Sequence, residues 1–368
     1  MRKRLVLIQL SRALVPIMVM LFHVSVNMEG YWEYNLLGLS SLPISGGVNY
    51  FFALSGFMLF YIYQKKLGQP KQLKGFLQSR FVRIYPVYFV LTLIAIPVLV
   101  FFPYLGVGHE INYNTIVHSL LLIPEVDGVK PVLDVAWSLV YTVYFYMIFS
   151  VLFFSKKVFS TIFLTTWTII SIAFATNILW AEQFIPYFFF YQYNLIFLAG
   201  MLCAYAVTRF QPSMLVSAAL IIIGLAGFPL TWLNYFNPVL DNSYYDLYTG
   251  LASVFIIYGL ASIDMKKDIR IPSALNYLGS ASLSIYLAHN LVLNTFSEIF
   301  SRTGVYYAAG PVVTSISLLV IITFFGCLVH SFIEKPLTAK LKKTITSNGS
   351  PITETQKAIP GTGASQVV

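Results

Sequence analysis

The stretch QLSRALVPIMVMLFHVSVN, residues 9–27, decides how the chain is read. It is apolar enough to sit in lipid, yet it holds Arg12 and His23, and an ionisable group at membrane depth is costly enough to be a functional candidate by default. The two residues are eleven positions apart. On a helix that spacing is about three turns, so both side chains leave the same face about 16 Å apart. Arg12 then lies toward the side where the chain begins and His23 toward the opposite surface. The plain alternative is that Arg12 snorkels to one interface and His23 caps the other.

Composition supports the membrane reading. Of 368 residues, 58% are hydrophobic and only 10% charged, and the mean hydropathy is +0.75, outside the balance of soluble globular chains. Alternating ten-residue strands are absent, so helices rather than a barrel must satisfy the backbone in lipid. The expected class is all-α, a polytopic transmembrane helical bundle. Cys203 and Cys327 lie in apolar runs and give neither a disulfide framework nor a metal spacing. The basic MRKR start followed by an apolar run imitates a signal peptide, but no small-residue cleavage site follows. It is read as the first span.

Apolar windows of about twenty residues fall at 5–26, 46–64, 84–102, 135–154, 158–178, 186–207, 213–233, 245–263, 275–297 and 309–331, ten expected spans. The formal net charge of +9 is distributed by topology and does not point to nucleic acid. Arg2, Lys3, Arg4, Lys65, Lys66, Lys71, Lys74, Lys156, Lys157, Arg209, Lys266, Lys267, Arg270, Lys335, Lys340, Lys342 and Lys343 fall on one side. The other side holds Lys130 and Arg302 with most of the acids, among them Glu29, Glu110, Asp134, Asp246 and Glu298. The positive-inside rule then makes both termini cytoplasmic. Residues 1–343 form the expected transmembrane domain, and 344–368, rich in Gly, Pro, Ser and Thr, a disordered cytoplasmic tail. The segment TIVHSLLLIP, 115–124, is too short to span and is read as lying along the outer surface.

Several further stretches carry chemistry. In GGVNYFFALSGF, from Gly46, the small pair Ser55–Gly56 either serves close helix packing or leaves room for a thin ligand chain. In FLQSRFVRIYP, Arg80 and Arg83 share a helix face, and two guanidinium forks can grip phosphate oxygens bidentately. Positive-inside decoration is the alternative. Trp137, Tyr141, Tyr144 and Tyr146 form an aromatic belt or part of a site. His289 stands in SASLSIYLAHN beside Ser282, Ser284 and Asn290, either a packing residue or a member of the site. Glu334, in HSFIEKPL, is a surface acid or a partner for Arg12, Arg80 or Arg83. No P-loop, dinucleotide fingerprint, HExxH or Gly-x-Ser-x-Gly elbow occurs, and no histidine pair has metal-ligand spacing. Nucleotide hydrolysis, common metal catalysis and α/β-hydrolase chemistry leave the list, and no metal is expected.

In this order the stretches resemble the acyltransferase-3 family of multi-pass membrane O-acyltransferases, with bacterial exopolysaccharide and O-antigen acetylation proteins the nearest kind. The marks are Arg-x10-His at Arg12 and His23, GVxxFFxxSGF at Gly47 to Phe57, Arg-x-x-Arg at Arg80 and Arg83, and RIYP at Arg83 to Pro86. WSL at Trp137 to Leu139 with FY at Phe145–Tyr146, SIYLAH at Ser284 to His289 and FIEKP at Phe332 to Pro336 complete them. The resemblance implies transfer of an acyl group, usually acetyl from cytoplasmic acetyl-CoA, to a hydroxyl of an extracytoplasmic glycan at the bacterial inner membrane. Arg80 and Arg83 would bind the CoA phosphates, the pantetheine would pass Ser55 and Gly56, and His23 would act as general base or carry the acyl group. Arg12 would stabilise charge or steady the donor. Asn49, Trp137, Ser138, Thr142, His289 and Glu334 would support the site or the substrate.

Two positions depart from the family pattern. Asn49 stands where an Asp follows GV, and Thr142 where a Glu follows the motif Trp by five residues. An acid that would raise the basicity of a catalytic His is therefore missing from its expected places. A transporter or flippase for a lipid-linked saccharide, or a silent subunit working with polysaccharide-assembly proteins, are the competing functions.

Overall fold

The computed structural model describes residues 3–106, 111–124, 130–154, 157–182 and 184–347. Arg2, Glu110, Glu125, Asp127 and Lys156, and residues 348–368 of the expected tail, lie outside the described residues. Among the described residues all regular structure is helical, with no strand. In chain order the helices are α1 (Val6–Trp32), α2 (Gly47–Tyr63), α3 (Leu73–Phe101), α4 (Tyr113–Leu121), α5 (Trp137–Ser150), α6 (Lys157–Ala175) and α7 (Phe184–Phe190). They continue with α8 (Tyr193–Arg209), α9 (Met214–Phe236), α10 (Tyr245–Lys266), α11 (Ser273–Thr303), α12 (Val305–Ala309), α13 (Pro311–Val329) and α14 (Lys335–Ser347). The residues at 344–347, expected in the tail, continue α14 instead.

A helix stands at each of the ten expected windows, and among the described residues eight helical runs are long and apolar enough to cross a membrane. The two others have physical reasons to fall short. With 17 residues, α2 sits at the lower limit of span length, about 25 Å. The 31-residue α11 is long enough, but Ser280, Ser282, Ser284, His289, Asn290 and Asn294 lower its apolarity. These residues supply much of the hydrogen bonding described below. Elsewhere the outward faces are apolar: Leu215, Ile222, Leu225, Leu230 and Leu233 of α9 are all exposed, the surface expected of a helix whose solvent is lipid.

The contacts group the chain into two compact units. The first comprises Met1–Ile8, Gly46–Leu77 and Tyr141–Ile271, the second Gln9–Ser45, Gln78–Val140 and Pro272 onward.

In the first unit α2 crosses α8 at two glycines. A Cβ on Gly56 would lie 2.0 Å from the Phe197 carbonyl oxygen, and one on Gly200 1.9 Å from that of Ala53. Lipid gives two helices no hydrophobic reason to associate, so such close backbone approach is one of the few sources of adhesion. The same unit holds the start of α1. Both oxygens of the Asp264 carboxylate accept from the Leu7 amide, at 3.0 and 2.8 Å, and one accepts from Ile8 at 3.2 Å. Amides that begin a helix have no intrahelical partner, and an anion there also suits the helix dipole.

In the second unit Met20, Val24 and Met28 of α1, Ala281, Ile285 and Leu293 of α11, and Leu318 and Ile322 of α13 form one buried cluster. The short α4 is fixed by its ends. Asn112 accepts from the Thr115 amide at 2.8 Å, and Tyr88 of α3 donates to the Ser119 carbonyl at 2.6 Å.

Gly56→Ala is expected to cost about 1–3 kcal/mol, because its methyl meets a backbone carbonyl that cannot turn away. Gly30→Ala, with nothing within 4 Å of the added carbon, serves as the control. Thermal unfolding of both variants in detergent, read by fluorescence-detected size exclusion, should show a lower melting temperature for the first only.

Candidate functional site

The second unit carries a ladder of polar rungs between α1 and α11. At the end where α1 begins, Gln9 donates to the Ser280 hydroxyl and the Asn276 carbonyl, both at 3.3 Å. Its side-chain oxygen accepts from Arg12 at 3.2 Å, and Arg12 donates onward to Ser282 at 3.4 Å. Arg12 is buried. Three turns along, the ring of His23 meets that of His289 with centroids 4.8 Å apart. One turn further Asn27 donates to Asn294 at 2.8 Å, and beyond it Tyr31 donates to Glu298 at 3.0 Å. His23, Asn27 and Tyr31 recur every four residues, the spacing that keeps side chains on one helix face. Glu298 is also paired with Arg302 at 2.6 Å.

His23 is half-buried and His289 fully buried. Nδ1 of His289 is bonded to the Tyr286 carbonyl, while its Nε2 is buried without a hydrogen-bond partner. Tyr286 shares a 2.8 Å hydrogen bond with Ser138, which places Ser138 one residue behind this level. Trp137 beside it is half-buried, and Asn290 donates to Asp134 at 3.3 Å. In the seam of α1, α11 and α13, Met20, Ile285 and Ile322 are buried together in one apolar cluster.

A second constellation sits where α13 passes into α14. His330–Glu334 forms a turn of π-helix, a geometry that tends to occur where function needs side chains re-aimed. Here it brings one Glu334 oxygen within 2.7 Å of His330 Nδ1 and 2.6 Å of the Ser284 hydroxyl, accepting from both. The sequence suggests that Glu334 is a surface acid or a partner for Arg12, Arg80 or Arg83; its hydrogen bonds here go to His330 and Ser284. The helix that follows carries Lys342, half-buried and in electrostatic reach of Arg83, Arg80 and Glu334. Arg80 is buried, with Nε donating to Ser79 at 3.3 Å, and Arg83 is half-buried. Three cations therefore gather at one place, a donor set suited to a ligand with several phosphate oxygens.

The first unit holds the remaining expected residues. Asn49 is fully buried and donates to the Asp246 carboxylate at 2.9 Å and to Thr249 at 2.7 Å. The other Asp246 oxygen accepts from Tyr191 at 3.0 Å and Gln192 at 3.4 Å. A carboxylate thus stands beside Asn49, supplied from α10. The space beside Gly56 is taken by the Phe197 carbonyl, so helix packing fills the room expected there for a ligand chain. Ser55 and Thr142 are half-buried. Sequence reasoning counts Asp246 and Lys342 only as topology markers and passes over Gln9 and His330. The readable signals are Gln9 three residues before Arg12 and His330 four before Glu334. Among the described residues no three His, Cys, Asp or Glu side chains gather as a metal site.

The family model described as "Acyltransferase domain" matches residues 6–332. The chain belongs to the acyltransferase-3 family. It is also similar to the "Exopolysaccharide production protein ExoZ" of Rhizobium meliloti (strain 1021), 26% identical over 301 residues, covering 80% of this chain and 89% of that protein. No solved structure matches. With eight helices among the described residues long and apolar enough to cross a membrane, this acyltransferase is a multi-pass membrane protein.

Glu334→Ala leaves His330 and Ser284 without their shared acceptor, a loss of about 1–3 kcal/mol for buried polar groups. Its melting temperature in detergent should fall, and Glu334→Gln, which keeps an acceptor oxygen, should fall less.

Proposed function

We propose that the chain is an O-acyltransferase of the bacterial inner membrane, both termini cytoplasmic, that moves an acetyl group from acetyl-CoA to a hydroxyl of an exopolysaccharide. The observation that carries this reading is the pairing, within one unit, of a three-cation cluster at one end with a half-buried imidazole in contact with a second imidazole at another. The family membership and the similarity to a protein of exopolysaccharide production support the acyl transfer and the acceptor class.

Arg80, Arg83 and Lys342 hold the phosphates of the donor, whose thioester supplies the activated acyl group. Arg12, fixed by Gln9 and Ser282, supplies positive charge on the way. Because the α1–α11–α13 seam is packed, the acyl end reaches His23 along another face of α1. One ring nitrogen of His23 takes the proton from the acceptor hydroxyl as its oxygen bonds to the thioester carbon. When the carbon–sulfur bond breaks, His23 returns that proton to the departing thiolate. General base catalysis of this kind contributes about 10²–10⁴-fold.

The full chain in lipid nanodiscs, given acetyl-labelled CoA and exopolysaccharide, should place label on the glycan. His23→Ala should lower kcat by at least about a hundredfold, and Arg80→Ala should raise the KM for acetyl-CoA. Passage of glycan across a proteoliposome membrane with no label incorporated would replace this reading with a transporter.

A further inference from the structure

His289 is enclosed among α11 neighbours, yet one of its two ring nitrogens is spoken for and the other is not. Nδ1 is bonded to the Tyr286 carbonyl. A carbonyl oxygen only accepts, so Nδ1 carries the proton. In the neutral ring Nε2 is then a bare lone pair, and it is buried with no donor on it. An unsatisfied acceptor in the interior is costly and calls for an explanation.

The His23 ring supplies one. Two imidazoles joined nitrogen to nitrogen by a hydrogen bond have centres about 5 Å apart. The His23 and His289 centroids are 4.8 Å apart, and the rings are inclined by 59° rather than stacked. An N–H of His23 aimed at Nε2 of His289 would satisfy that lone pair. His23 stays half-buried while His289 is fully enclosed. The two rings therefore have different audiences, His23 the substrate and His289 only its partner.

We infer that His289 is the positioning residue for His23: its Nε2 accepts the N–H of one His23 nitrogen and leaves the other nitrogen bare toward the acceptor hydroxyl. Nδ1 of His289 is anchored by the Tyr286 carbonyl, and Tyr286 in turn is held by its hydroxyl, which bonds Ser138 at 2.8 Å and the Val135 carbonyl at 3.2 Å. When His23 takes the substrate proton, the growing positive charge rests against a neutral acceptor. The role that an acid plays in orienting a catalytic imidazole is filled here by a second imidazole, within the same unit as His23. This inference rests on the reading of His23 as general base, and its test separates the two.

The first measurement needs no turnover. In full-length chain with 15N-labelled histidine in nanodiscs, with signals assigned by single His→Gln variants, His289 should show a protonated Nδ1 and a bare, hydrogen-bonded Nε2. That Nε2 signal should move toward the free lone-pair position in His23→Phe. A proton on Nε2, or no response to His23→Phe, overturns the inference whatever the enzyme does.

The second measurement is kinetic. His289→Gln, whose amide oxygen can accept in the place of Nε2, should stay within about tenfold of the original kcat. His289→Phe, which fills the space but accepts nothing, should lose about a hundredfold in kcat with the KM for acetyl-CoA unchanged. Equal activity in His289→Phe and the original chain would reduce His289 to packing. Should His289→Phe fail to give a monodisperse protein, the labelled-histidine spectrum of the original chain decides. Absence of acyl transfer in the original chain with the expected spectrum would overturn the functional reading while leaving the imidazole pair standing.

Discussion

The second unit depends on polar side chains meeting between α1 and α11 where lipid leaves little else to hold helices together. Burying apolar surface against apolar solvent gains almost nothing, so adhesion falls to hydrogen bonds and close packing. Gln9 with Ser280, Arg12 with Ser282, Asn27 with Asn294 and Tyr31 with Glu298 are rungs of that kind. Each also sets the register of the two helices, because slipping one turn would strand every partner at once. The imidazole pair sits in this ladder, and its position is fixed by the rungs above and below it.

The same constraint explains why α11 is the least lipid-like of the long helices. It gives Ser282 to Arg12, Ser284 to Glu334, His289 to His23 and Asn290 to Asp134, side chains of one helix addressed to several neighbours. A helix that serves so many partners cannot also be apolar all round. In the first unit the equivalent economy is achieved with backbone: Gly56 and Gly200 let α2 and α8 touch, and Asp246 gathers Asn49, Tyr191 and Gln192 around one buried carboxylate.

From the sequence, Asn49 reads as the loss of an acid. Its amide lies against Asp246, so the carboxylate near that position comes from a helix almost two hundred residues later in the chain. Glu334 reads as a surface acid or a partner for arginine. The π-turn over His330–Glu334 turns it toward His330 and Ser284 and sends α14 back with Lys342 toward Arg80 and Arg83. A π-turn inserts one residue into a helical ladder and has no residue signature of its own, so nothing in HSFIEKP announces it.

Hydropathy and the order of the short motifs suffice for the helical membrane class and the family, and they single out the two histidines as candidates. Those properties are local: a run of twenty apolar residues or an Arg-x-x-Arg is complete within itself. Which histidine faces which, that one nitrogen of His289 is spent on a carbonyl, that Gly56 is filled by packing, and that Asp246, Lys342 and His330 belong with the candidate residues all required the folded chain. Each is a meeting of residues from separate helices, and lipid, unlike water, imposes no inside and outside on a sequence from which such meetings could be read.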